Sequence, residues 1–210
     1  MNLANRLTLL RLALVPIFMV FTVIDNVWTR IFGLFIFIGA SLTDLYDGYV
    51  ARKYGEVTDF GKFMDPLADK FLISAALISF VGMRELHVPA WMVVLIIGRE
   101  FLITGLRLLA ASKGEVIAAD RSGKFKTTWQ VAAIITILII LCVNTVLSDY
   151  YWVEPLELSE QDGWRGAAGS FLVWSPYWLV FVTTILTLIS GSSYLYSNRR
   201  IFSKEIGLSI

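Results

Sequence analysis

Long apolar runs, separated by short polar ones, govern what this chain can fold into. They fall at roughly Leu9–Ile24, Ile31–Val50, Leu67–Met83, Pro89–Ala111, Thr127–Leu147 and Ser175–Ser197. A helix needs about 20 apolar residues to cross a hydrocarbon core of roughly 30 Å. The first and third runs are short by that standard and must borrow flanking residues. Each run is rich in Leu, Ile, Val and Phe without period-two polarity, which favours helices over a barrel. Composition agrees, with 57% hydrophobic and 17% charged residues and a mean hydropathy of +0.69. A soluble domain has about 45–50% apolar and about 25% charged residues. One small core cannot hide this much apolar surface. The expectation is an all-α integral membrane protein with six transmembrane helices, residues 1–210 forming a single domain. The first run is followed by no small-residue cleavage site, so it is expected to remain as structure.

With so few charges, their placement carries the information. The formal net charge of +1 gives no basic field for nucleic acid. One cysteine, Cys142, excludes an intrachain disulfide framework and a thiolate cluster, and one histidine, His87, excludes a multi-histidine metal site. The connections alternate in basic residues. One side holds Arg6, Arg11, Arg52, Lys53, Lys62, Lys113, Arg121, Lys124, Lys126, Arg199, Arg200 and Lys204, and the other only Arg30, Arg84 and Arg165. The positive-inside rule then puts both termini in the cytoplasm. The longest connection, roughly 148–174, is acidic and carries Trp152, Trp164 and Trp174, which suits an outer-face loop anchored at the interface.

The most informative stretch runs from Ser41 to Lys70. Asp44 and Asp47 close the second run, and Asp65 and Asp69 open the third. On helices, an i,i+3 pair lies about 60° apart and an i,i+4 pair about 40° apart, so each run offers a carboxylate pair on one face. Four carboxylates at one membrane edge cannot all stay ionised without cations. Hard divalent ions with oxygen ligands, Mg²⁺ or Mn²⁺, fit such a donor set, with room for two. Two-metal clamps serve phosphoryl transfer. Gly48 and Gly61 leave space for a phosphate to approach the backbone, and Arg52 offers a forked donor for a pyrophosphate oxygen. The plain alternative pairs these aspartates with Lys53, Lys62 and Lys70 at the interface.

Asp44, Asp47, Gly48, Ala51, Arg52, Gly61, Asp65 and Asp69 follow the pattern Asp-x2-Asp-Gly-x2-Ala-Arg-x8-Gly-x3-Asp-x3-Asp. This pattern resembles the signature of the CDP-alcohol phosphotransferases. The resemblance implies a six-helix membrane bundle, often a homodimer, that cleaves a CDP-linked donor, releases CMP and joins the phosphoryl group to an alcohol. It further implies that all four aspartates contact metal and that Asp69 acts as general base on the acceptor hydroxyl. Asn5, Thr8 and Arg11 form one polar stripe at i,i+3 spacing. They resemble the family's opening helix, which covers the CDP headgroup. Otherwise they form an interfacial helix with Arg11 snorkelling.

The remaining charges near the membrane must select the alcohol. Arg107 lies near the cytoplasmic end of the fourth run, and Arg99 about 12 Å deeper. An arginine at that depth needs a carboxylate or a watery cavity. Glu100 is a candidate, although adjacent residues diverge on a helix, so another helix is expected to help. Arg99 and Glu100 suit either a structural network or acceptor binding. Lys124 and Lys126 suit either the positive-inside rule or, with Arg107, a cationic pocket for an acceptor phosphate. The strings around Arg99–Arg107 and Gly123–Thr127 resemble those of the family's phosphatidylglycerophosphate-forming members in bacteria. That resemblance implies CDP-diacylglycerol as donor, glycerol 3-phosphate as acceptor and a site facing the cytoplasm from the bacterial inner membrane. Within the family, cardiolipin-forming or phosphatidylinositol phosphate-forming activity is the alternative. A divalent-cation transporter would also use membrane carboxylates, but it needs polar groups continuing across the bilayer, and the four aspartates all sit at one edge.

Overall fold

A computed structural model describes residues 3–54, 59–112 and 121–199, with side chains at 8–43, 64, 67–68, 70–111 and 126–199. All regular structure among these residues is helical. Six long helices are α1 (Leu3–Val23), α2 (Val27–Tyr54), α3 (Asp59–Gly82), α4 (Ala90–Ser112), α5 (Arg121–Tyr151) and, after the single-turn α6 (Pro155–Ser159), α7 (Trp164–Ser197). The breaks have local causes. Asn26 Oδ1 accepts from the Trp28 amide across 2.9 Å and starts α2 as an N-cap. Beyond Gly82 the chain passes through the 3-10 turn Arg84–Leu86 and a left-handed His87 before Pro89 opens α4. Hydroxyls within the apolar helices bond their own i−4 carbonyls, as Thr22 does to Phe18, Ser79 to Ala75 and Thr184 to Val180. These three thereby enter the bundle without an unsatisfied donor.

The α1/α2 pair is antiparallel, with Phe18 against Phe37 and Phe21 against Phe32 at ring separations of 5.6 and 6.2 Å. Gly33 permits this contact, because a Cβ there would lie 2.8 Å from Thr22 Oγ1. Helix α1 also packs on α3, α4 on α3 and α7, and α5 on α2 and α7. The shared core includes Leu72, Ala76, Phe80, Met92, Ile96, Ile137, Leu141 and Val180. Phe35, Leu42, Ile78, Val94, Leu102 and Ile189 point outward and are exposed. Polar Arg11, Arg30, Lys126, Gln130 and Asn144 are buried instead. Such an exterior is suited to lipid rather than water. Helix α7 and the segment Lys126–Tyr151 of α5 are each long and apolar enough to cross a membrane. Among the described residues, the apolar segments Thr8–Val23 of α1, Val27–Thr43 of α2 and Lys70–Gly82 of α3 are shorter.

The sequence reading needs correcting at the connection expected over 148–174. Helix α5 continues to Tyr151 and α7 already begins at Trp164, so only a short segment containing α6 lies between them. Polar and aromatic residues disguise the first turns of α7. Gly166 and Gly169 let α6 fold back on α7, since a Cβ at either would overlap the backbone of residues 158–161.

One polar cluster fixes the end of the bundle to which this connection belongs. Arg30, 3% exposed, donates from Nη2 to Glu85 Oε1 across 2.6 Å and lies 3.1 Å from Asp25 Oδ1, while Nη1 donates to Thr145 Oγ1. It joins the α1–α2 turn, the α3–α4 turn and the late part of α5. Burial pushes the Glu85 carboxyl above its ordinary value near 4.5, with Arg30 pulling it down less strongly.

Candidate active site

A second polar cluster lies at the opposite end of the bundle, with Glu100 of α4 at its centre. Lys70 Nζ, from α3, donates to Glu100 Oε2 across 2.6 Å. Arg99 Nη1 donates to Oε1 across 3.0 Å, and Lys126 Nζ from α5 pairs with the same oxygen. The other Arg99 nitrogen, Nη2, donates to Ser190 Oγ of α7 across 2.9 Å. Glycine at 191 makes room, because a Cβ there would stand 2.9 Å from Arg99 Cγ and Nε. Side chains of three helices therefore converge on one carboxylate, and α7 joins through Arg99. None of the four charged side chains exceeds 19% exposure.

Among the described residues, three cations face one carboxylate in this group, an excess of positive charge. Such an excess away from water calls for further anions. Lys70 directly follows Asp69, so the cluster adjoins the stretch of α3 that carries the aspartates. The antiparallel register marked by Lys70–Glu100 carries Arg107, seven residues farther along α4, toward the level of Asp65. Seven residues are nearly two full turns, so Arg107 shares the Glu100 face, about 10 Å nearer the membrane edge. Arg107 is exposed. Continuing the Phe18–Phe37 register places Thr8 and Arg11 near the part of α2 that carries Asp44 and Asp47.

Asp44, Asp47, Gly48, Ala51 and Arg52 lie on α2, and Gly61, Asp65 and Asp69 on α3, so both carboxylate pairs have the helical backbone that their spacing presumes. Their side chains lie outside the described residues, as do those of Asn5 on α1 and Lys124 on α5. Thr8 and Arg11 are buried at 2% exposure each, so Arg11 does not snorkel to an interface. Lys126 is likewise buried within the bundle rather than being a purely interfacial cation. Arg99 reaches Glu100 although the two are adjacent, because its long side chain curls back to the carboxylate. Help from other helices also arrives, from Lys70 and Lys126. Sequence reasoning had no role for Ser190 or Gly191 at this cluster. The small pair inside the last apolar run was the available signal.

A family model for CDP-alcohol phosphatidyltransferase matches residues 1–154. CDP-diacylglycerol--glycerol-3-phosphate 3-phosphatidyltransferase of Bacillus subtilis is 50% identical over 150 residues, covering 66% of this chain and 77% of that protein. A protein of the same name from Rickettsia bellii is 32% identical over 202 residues, covering 96% of this chain and 97% of its own. A probable phosphatidylglycerophosphate synthase of Mycobacterium tuberculosis is 46% identical over 136 residues, covering 63% of this chain and 64% of its own. The chain belongs to the CDP-alcohol phosphatidyltransferase family.

Proposed function

We propose that this enzyme transfers the phosphatidyl group of CDP-diacylglycerol to glycerol 3-phosphate, yielding phosphatidylglycerophosphate and CMP. The relatives that share most of its length carry that activity in their names. The observation that carries the choice of acceptor is the gathering of Lys70, Arg99 and Lys126 beside the aspartate-bearing end of α3. An acceptor with its own phosphate needs such cations, whereas free serine, choline or ethanolamine does not. Arg107 and Lys124, at the same end, would complete the grip on that phosphate, Arg107 as a bidentate donor.

Asp44, Asp47, Asp65 and Asp69 would hold Mg²⁺ or Mn²⁺, two ions for four carboxylates. Two observations fit: both pairs lie on helical backbone, and the donor set is all oxygen. The ions would supply charge neutralisation at the pyrophosphate oxygens. Gly48, Ala51, Arg52 and Gly61 would face the CDP group, together with Asn5, Thr8 and Arg11 from α1. In the reaction, the 1-hydroxyl oxygen of glycerol 3-phosphate attacks the phosphorus that carries diacylglycerol. Its proton passes to an Asp69 carboxylate oxygen, and the bond from that phosphorus to the CMP oxygen breaks. The lysines and arginines hold the acceptor's phosphate, so the hydroxyl is presented rather than encountered.

The six long helices would each cross the bilayer, with the aspartate end and both termini in the cytoplasm of a bacterial cell. The donor's acyl tails would stay in lipid, so the site must open sideways to the bilayer. Family resemblance favours a homodimer. Purified enzyme given CDP-diacylglycerol and, in turn, glycerol 3-phosphate, phosphatidylglycerol or inositol phosphate tests the assignment. Phosphatidylglycerophosphate should form with the first alone. Product with either other acceptor, and none with glycerol 3-phosphate, would overturn it.

A further inference from the structure

We infer that Glu100 is a positioning residue for the acceptor: it touches no substrate and instead holds the Lys126 ammonium and the Arg99 guanidinium where the acceptor's phosphate is gripped. The inference rests on the reaction proposed above. A carboxylate beside a phosphate site is at first sight misplaced, because it repels the ligand. Its three cations resolve the difficulty. Lysine is a flexible point charge, and a lysine aimed at an anion loses rotamer freedom when the anion arrives. Glu100 holds Lys70 and Lys126 in one arrangement beforehand, and Ser190 with Gly191 does the same for Arg99.

The packing adds a second argument. Among the described residues α4 packs on α3 and α7, and α5 packs on α2 and α7. The Glu100–Lys126 pair therefore bridges two helices that do not pack closely on each other. The long Lys126 side chain, only 4% exposed, reaches across that separation to the face of α4 that also carries Arg107 seven residues farther along.

Kinetics of Glu100→Gln separate positioning from simple support. The variant should raise KM for glycerol 3-phosphate by about tenfold or more, with KM for CDP-diacylglycerol changed by less than about twofold. Glu100→Asp, too short to serve both lysines equally, should fall between. If Glu100→Gln misfolds, Glu100→Asp, which keeps the charge and all three cations, serves in its place. An acceptor KM within about twofold of wild type in both variants, or in whichever of them folds, would overturn the inference and make the contact a structural tie. Failure of the underlying reaction is distinguishable: wild-type protein would then form no product with glycerol 3-phosphate.

Discussion

Lys70 of α3 and Glu100 of α4 meet across 2.6 Å, with side chains only 19% and 12% exposed. This contact joins the helix whose first half carries Asp65 and Asp69 to the helix that carries Arg99 and Arg107. Lys70→Met should cost about 1.5–3 kcal/mol, the usual range for a hydrogen bond to a charged group. Glu100→Ala should cost more, about 3–5 kcal/mol, because it leaves partly buried cations without their anion. Thermal unfolding of the two variants in one detergent checks the order. Equal or inverted losses would contradict a hub centred on Glu100.

At the other end of the bundle, Arg30 ties Glu85, Asp25 and Thr145 together. Arg30→Met should destabilise the protein by about 1.5–3 kcal/mol rather than the full cost of a broken buried pair, since Glu85, 37% exposed, can regain water. Turnover per folded molecule should be unchanged, because the cluster lies far from the aspartates. A selective loss of turnover without loss of melting temperature would place Arg30 in the chemistry and contradict this division of the bundle.

Burial raises Glu85 above its ordinary value near 4.5, outweighing Arg30. The fold therefore favours the neutral carboxyl. That contribution is complete below the unfolded value and is lost as pH rises through the raised folded one. As pH rises above the ordinary value near 4.5, wild type should lose stability relative to Glu85→Gln. Melting curves of both proteins through that rise test the sign. A relative gain by wild type would show that the Arg30 pair dominates burial.

Gly33→Ala should destabilise the α1/α2 contact by about 1–3 kcal/mol, as overpacking commonly does. The added carbon meets Thr22 Oγ1 at 2.8 Å, so Thr22→Ala in the same chain should recover most of the loss. Additive losses in the double variant would argue that the helices approach elsewhere.

The all-helical fold class was legible in the sequence, as was the helical backbone under both aspartate pairs. Asp44/Asp47 and Asp65/Asp69 are read correctly onto α2 and α3 because i,i+3 and i,i+4 spacing has a fixed meaning on a helix. What stayed hidden depends on contacts between helices. Nothing local ties Lys70 to Glu100 thirty positions away, or Arg99 to Ser190 ninety-one away. Arg30 and Glu85, in separate connections, and Thr145, inside the fifth apolar run, show no local sign of the contact that folding makes between them. The start of α7 was misread for a different reason: Trp164, Arg165 and Gly166 break the apolar run, but the helix gains its support there from α6 through Gly166 and Gly169.

Acceptor-dependent phosphatidyl transfer with Asp69 as base is tested most directly by CMP release from purified enzyme in CDP-diacylglycerol micelles with Mg²⁺ or Mn²⁺, with and without glycerol 3-phosphate. CMP should appear only with the acceptor, in equal amount to phosphatidylglycerophosphate, and Asp69→Asn should slow it by about 10²–10⁴-fold. CMP release independent of glycerol 3-phosphate, or near-normal turnover in Asp69→Asn, would contradict the account.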